Sequence, residues 1–271
     1  MIDDTTLDKP HGPRIELARW HWSGKHHRVV WGINLISLLW TDGNALLPCD
    51  FRLYDPPTDA LTKNDHFQAM LLQAQARQFA PSLVAFDSWY SGLENLKAVR
   101  AQGWQWLTQL KSNRCVNPGG TGNVPLSTVT IPAGGGGGHL RGYGFVKVFR
   151  TVSPDRGAEY WAPSDLQMTE EERAEWATPS GLPAFGIEVY HRGLKQPGTR
   201  RAGGGVEKCQ ARTKEAQRGH IQLAIRAFVR LEVNWMRTGQ TWYAAKCSII
   251  REAIRKYLAY PRFILPQPLS A

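Results

Sequence analysis

Residues 83–90 read LVAFDSWY: four apolar residues stop at an acid, Asp87, after which Ser88, Trp89 and Tyr90 open a turn. An apolar run of that length fits a buried strand. A strand ending in an acid sets its carboxylate at the sheet edge, where ligands bind in open α/β folds. Upstream, residues 64–79 space Phe67, Met70, Leu71, Ala74 and Gln78 at three or four, the period of a helix. Earlier still, residues 27–39 (HRVVWGINLISLL) and 46–54 (LLPCDFRLY) read as strands rich in β-branched and aromatic residues, joined by a turn at Asp42-Gly43. Downstream, a helix is expected over residues 93–102 and a strand over 104–110 (WQWLTQL).

From residue 111 the texture changes. Five consecutive glycines (Gly134 to Gly138) suggest a flexible loop, residues 143–149 alternate, and an acidic helix is expected near 168–176. Helical spacing resumes at Phe185, and a later helix carries Ile221, Ala224, Ile225 and Phe228 on its apolar face. Three parts follow: a core over 1–110, a mostly β insertion over 111–183, and helices with a basic end over 184–271. The order describes an α/β chain, a mixed sheet flanked by helices, with the insertion placed before the helix that carries Glu188. An RNase H-like fold fits, although order alone does not select it.

Composition narrows the function classes. Apolar residues make up 42% and charged residues 21%, as in ordinary globular proteins. No run approaches the roughly 18 apolar residues of a membrane span, and residues 1–20 hold no apolar signal core, so a cytoplasmic protein without a membrane partner is expected. The four cysteines (Cys49, Cys115, Cys209, Cys247) are too scattered for a zinc cage or a disulfide framework. Net charge is +10, yet residues 189–271 hold 16 Lys/Arg against 4 Asp/Glu, so the first 188 residues are slightly acidic. Such asymmetry points to a polyanion partner for the last third, because basic side chains displace counterions from phosphates.

Three acidic positions carry the chemistry: Asp3 or Asp4, Asp87, and Glu188. Phosphodiester cleavage needs an activated hydroxyl and charge stabilisation on the leaving oxygen. Two hard divalent cations supply both, and such cations take carboxylate ligands. In FGIEVYHRGLKQ, the spacing of Glu188, Arg192 and Lys195 puts them on one helical face, Ile187, Tyr190 and Leu194 on another, and His191 at the border of the polar face. The plainer readings are an Asp87 that only caps a helix and a Glu188–Arg192 pair on a solvated face. His11, His21, His26 and His27 show no metal-ligand spacing, and the glycine run lacks the Lys-Ser/Thr ending of a phosphate loop. Trp20, Trp22, Trp31 and Trp40 read as core or rim, with Trp161 the better base-stacking candidate.

The stretches DDTTLDKP (3–10), HWSGKHHRVVWGINL (21–35), TKNDHF (62–67), FDSWYSGLENLK (86–97), LKSNR (110–114), IEVYHRGLKQ (187–196) and GVEKCQAR (205–212) occur in that order. Together they resemble the DDE transposases of bacterial insertion sequences, in the branch that includes the insertion-sequence-four and seven-hundred-one groups. The resemblance implies an RNase H-like fold and a DNA-cleaving, strand-transferring enzyme associated with the nucleoid. Asp3, with Asp4 the close alternative, Asp87 and Glu188 would hold two Mg²⁺ ions, for which Mn²⁺ can substitute. Lys195 of the family's E-x₆-K element, Arg192 and His191 would contact phosphate. The implied partners are double-stranded DNA, at element ends and target, and a second copy of the chain on that DNA. Two departures stand out. The family's Y-x₂-R-x₃-E element has Gly181 and Ala184 where tyrosine and arginine are expected, and residues 197–205 (PGTRRAGGG) run long. The family's DNA-binding region before the first aspartate is expected to be lacking, and with it come the expectations of a frayed strand around Asp3 and weak transposition. The rival readings are a weakly catalytic DNA-binding fragment and an RNase H-like nuclease without strand transfer.

If the basic third tracks phosphates, the logarithm of DNA affinity falls linearly with the logarithm of salt, with a slope of about 0.9 per phosphate neutralised. Anisotropy titrations across salt concentrations check this, and a flat response would contradict it.

Overall fold

The computed structural model describes residues 1–24, 26–120, 122–153, 157–177, 182–195, 205–240 and 242–260. Its first strand, β1 (Ile2–Asp8), is short but firmly tied. β2 (Arg19–Ser23) leads into β3 (Arg28–Thr41), and β1 runs antiparallel to β3 along its whole length, from Ile2 opposite Leu38 to Asp8 opposite Gly32. The Met1 amine donates to the Leu39 carbonyl at 2.7 Å, and the Leu39 amide donates back to the Met1 carbonyl at 2.8 Å. The expectation of a frayed strand around Asp3 is therefore overturned: a complete ladder holds it.

On its other side β3 pairs first with β2 and then with β4 (Leu46–Leu53). The intervening turn is where the sequence puts it, with the Asp42 carboxylate accepting from the amides of Asn44 and Ala45. A single turn of helix, α1 (Pro56–Asp59), precedes α2 (Lys63–Ala76), whose start is fixed by a reciprocal box between Thr62 and Asp65. β5 (Leu83–Phe86) returns parallel to β1, meeting it at Ile2 opposite Phe86. After α3 (Leu93–Ala101), β6 (Gln105–Leu110) lies parallel to β5. The order β4-β3-β1-β5-β6, antiparallel on one side and parallel on the other, is an RNase H-like sheet.

The chain then adds strands. β7 (Cys115–Val116) and β8 (Val124–Pro125) form a small ribbon of their own. β9 (Gly136–Leu140), β10 (Gly144–Ser153) and β11 (Gly157–Pro163) extend the main sheet, because β11 pairs with β6. Among the described residues nine strands thus share one sheet. The glycine run is not a flexible loop: Gly136 to Gly138 belong to β9. A Cβ at Gly135, where φ is +87°, would lie 2.8 Å from the Phe149 ring, so small residues are needed for the backbone to lie this close.

Helices close both faces. Along β3, Ile36 and Leu38 join a core with Phe67, Met70 and Leu71 of α2 and with Leu96 and Val99 of α3. Ile33 and Leu35 point the other way, as strand alternation requires, and meet later helices. After α4 (Glu170–Ala177) come α5 (Leu182–Lys195), α6 (Lys214–Thr238) and α7 (Trp242–Ala259). Ile187, Tyr190 and Leu194 of α5 and Ile221, Ala224 and Phe228 of α6 form the second core. A Cβ at Gly186 would lie 2.5 Å from the Leu46 side chain, so a glycine there lets α5 approach β4 closely. Arg192, Lys195 and Glu188 are left on the outer side of α5, as its periodicity predicts.

One buried cation locks the end of β1 to the segment after α5. Lys9 is 1% exposed, and its Nζ donates to the carbonyls of Val206 (2.6 Å), Glu207 (3.2 Å) and Cys209 (2.8 Å). Replacing it with methionine leaves buried carbonyls without a donor, at about 1–3 kcal/mol each. Lys9→Met is expected to lose about 3 kcal/mol in urea unfolding; an unchanged midpoint would contradict the lock.

Candidate active site

Strand geometry separates Asp3 from Asp4. Asp3 stands opposite Ser37 in the β1–β3 ladder and Asp4 opposite Ile36, so the two side chains leave opposite faces of the sheet. Asp4 shares its face with α2. Its carboxylate accepts from Asn34 Nδ2 (2.6 Å), Lys63 Nζ (2.7 Å) and the Tyr90 hydroxyl (3.0 Å). Burial works against its charge, but the Lys63 cation and these donors outweigh burial and hold Asp4 below the usual carboxylate range.

Asp3 faces α5. Phe86 lies opposite Ile2, so the next residues, Asp3 and Asp87, emerge side by side on that same face as β5 ends. α5 packs across β1, β3 and β5 there and brings Glu188 to the same cleft. Asp3 is held well above its ordinary range by burial first, then by the negative charges of Asp87, Asp4 and Glu188. Asp87 is pushed up to about 6, again by burial first and by Asp4 second. Although Asp87 reaches the open side of the cleft, the surrounding walls displace enough water to disfavour its charge. Its Oδ1 accepts the Trp89 amide (3.0 Å) and the Tyr90 amide (3.4 Å), a turn cap rather than the cap of α3, which begins after Gly92.

The cleft has a volume of about 1150 Å³ and is lined by Asp3, Asp4, Asp87 and Glu188 together with Lys63, Lys111, Arg192 and Lys195. Arg192 is exposed, and the Lys195 Nζ lies 3.9 Å from Glu207 Oε1. His191, expected at the border of the polar face, lines the same cleft but is nearly buried. It is 5% exposed, its Nε2 is 3.1 Å from the Ser37 hydroxyl, and burial, then the Lys195 charge, lowers it to about 3. It stays neutral and lines the floor of the cleft beside Ser37. Gly181 falls outside the described residues, as do residues 196–204 of the long Gly/Arg stretch.

Several cleft residues escaped the sequence reading. Lys63, inside TKNDHF, reaches Asp4 and lies over the rings of Tyr54 and Trp89 at 5.7 and 5.6 Å; Lys111, inside LKSNR, lies over Trp89 at 5.6 Å. Trp20, Trp22 and Trp89 line the cleft, whereas Trp161, expected to stack on bases, is part of β11 between Phe149 and Gln109 and does not line it.

In chemical terms the cleft presents hard oxygen donors, as divalent cations require. Asp4 already has its cation, Lys63, while Asp3 and Asp87 repel one another across the cleft. A bound dication would relieve that repulsion, so the donor set fits one, although among the described residues no three His, Cys, Asp or Glu side chains are drawn together into a finished metal cage.

The sequence family described as DDE superfamily endonuclease matches residues 1–151. No curated protein matches the chain. Among solved structures it is similar in fold to piggyBac transposase in a synaptic complex with hairpin DNA, with a TM-score of 0.59 and 10% identity. That likeness covers 97% of this chain and 54% of the other, so this chain spans about half the length of its structural relative. No helix among the described residues is long and apolar enough to cross a membrane.

The raised carboxyls have a stability consequence. A folded-state value of about 6 means that the charged form of Asp87 is penalised above pH 6, and that the penalty fades as pH falls toward the unfolded value near 3.8. Asp87→Asn is therefore expected to raise the Tm of the metal-free protein at pH 7.5, by on the order of 2 °C. That advantage should shrink to nothing by about pH 4. Scanning calorimetry across pH checks both, and a lower Tm at pH 7.5 would contradict the penalty that burial and Asp4 place on the Asp87 charge.

Proposed function

This chain belongs to the DDE superfamily endonuclease family, and we propose that it is the catalytic part of an insertion-sequence transposase that cuts DNA and joins it to a new site. The observation that supports this most is the emergence of Asp3 and Asp87 on one sheet face under α5, with Glu188 lining the same cleft. Asp3, Asp87 and Glu188 would hold two divalent ions, Mg²⁺ in the cell, with Mn²⁺ as a substitute. Bound there, such ions activate a water or a 3′-hydroxyl and neutralise charge on the departing oxygen.

The chain's own residues do the rest. Arg192 and Lys195, one turn apart beyond Glu188, bind the phosphates flanking the scissile bond. Asp4 stays charged on Lys63 and, through the Tyr90 hydroxyl, fixes the turn that carries Asp87. Neutral His191, packed on Ser37, sets the height of α5 over the sheet and adds no charge beside the acids. The partners proposed are double-stranded DNA and a second copy of the chain on paired ends, and the place of action is the nucleoid.

The test is metal-dependent nicking of a plasmid carrying element ends, followed by assay for joined products. Asp3→Asn, Asp87→Asn and Glu188→Gln should each lose about a thousandfold or more, the several kcal/mol of charge stabilisation that depends on the ions. Asp4→Asn should lose far less. If Asp4→Asn is the dead variant and Asp3→Asn cuts normally, the assignment is wrong. Cutting without joining would favour the nuclease reading.

A further inference from the structure

Two tryptophans stand in water where burial would be favoured. Trp20 and Trp22 are 68% and 62% exposed, on the edge strand β2. Each is two residues from the other, so both rings rise from the same face. Trp20 is opposite Trp31 in the ladder and is braced by it edge-on, with centroids 5.5 Å apart; Trp31 is itself pinned by a 3.0 Å bond from its Nε1 to the Gly12 carbonyl. Trp31 follows the alternation of Ile33, Leu35 and Ser37, so this is the face that Asp3, Asp87 and α5 occupy. Trp20 and Trp22 line the same cleft as those acids and as Arg192 and Lys195.

Neither ring is needed for the core, and phosphates call for cations rather than rings. A flat indole held open beside cations fits the face of a base, and within a strand a base can leave its stack to lie on such a ring only where the strand is unpaired. The charges rule against a second copy of the chain as occupant, because interface cores are depleted of charge and this cleft is dense with it. We propose that Trp20 and Trp22 form a stacking platform for unpaired bases of a DNA strand whose backbone enters the acidic cleft. The substrate class is thus a locally unpaired or single-stranded DNA end. This rests on the DNA-cleaving reading of the cleft.

The test uses the full chain in EDTA, so that binding is read without cleavage. Labelled single-stranded oligonucleotides and blunt duplexes of the same sequence are titrated by anisotropy against wild type, Trp20→Ala, Trp22→Ala and Trp22→Phe. Each alanine variant is expected to weaken single-strand binding by about tenfold and leave blunt-duplex binding within about twofold, with Trp22→Phe close to wild type because a ring remains. Equal losses on both substrates, no loss on either, or a concentration-dependent dimer that the alanine variants dissolve would each overturn the proposal. Asp87→Asn, assayed for binding in EDTA and for nicking in Mg²⁺, keeps the two readings apart: it should bind single strands at least as well as wild type yet fail to cut. Normal cutting by Asp87→Asn would break the catalytic reading without touching the stacking result.

Discussion

Two carboxylates emerge on the same face of one sheet, one residue past the point where β1 and β5 pair, where burial disfavours their charge. Much of the site follows from that placement. β5 has to stop at Phe86 for Asp87 to reach the cleft, and β1 has to continue so that Asp3 stands beside it. Burial raises both groups, helped by the Asp87 charge at Asp3 and by the Asp4 charge at Asp87, a state that costs folding energy in the metal-free protein and suits a dication. Strain of this kind persists where the surrounding structure over-determines it. Here the determinants are the full ladder between β1 and β3 and the packing of α5 through Ile187, Tyr190 and Leu194.

The neighbouring acid shows the opposite arrangement. Asp4 differs from Asp3 only by strand alternation, yet it meets Lys63, Asn34 and Tyr90 and is fully satisfied. It serves as an anchor: the Tyr90 hydroxyl ties the turn after β5 to β1, and Lys63 ties the start of α2 to the same point. Supporting contacts of this sort hold reactive groups in place. Lys9 does comparable work at the far end of β1, where it fixes the segment carrying Glu207 and so the surroundings of Lys195.

Much of this was legible in the sequence, for physical reasons. The apolar run ending at Asp87 and the helical spacing around Glu188 are local signals, and both elements lie where those signals put them. The choice between Asp3 and Asp4 was not legible, because it depends on which face of β1 meets α5, a matter of pairing register. The same is true of Trp20 and Trp22: alternation marks them as sharing a face, but only the edge position of β2 shows that among the described residues nothing covers it. The burial of His191 was not legible either, because helical spacing puts it at the border of the polar face and only the packing of α5 on Ser37 encloses the imidazole. The glycine run was misread because close packing and flexibility both call for glycine.

The most direct measurement is anomalous diffraction from crystals soaked in Mn²⁺. Two peaks about 3.5–4 Å apart, ligated by Asp3, Asp87 and Glu188, are predicted, with Asp4 still bound to Lys63. Manganese ligated by Asp4 in place of Asp3, or a cleft without manganese at millimolar concentration, would contradict the account.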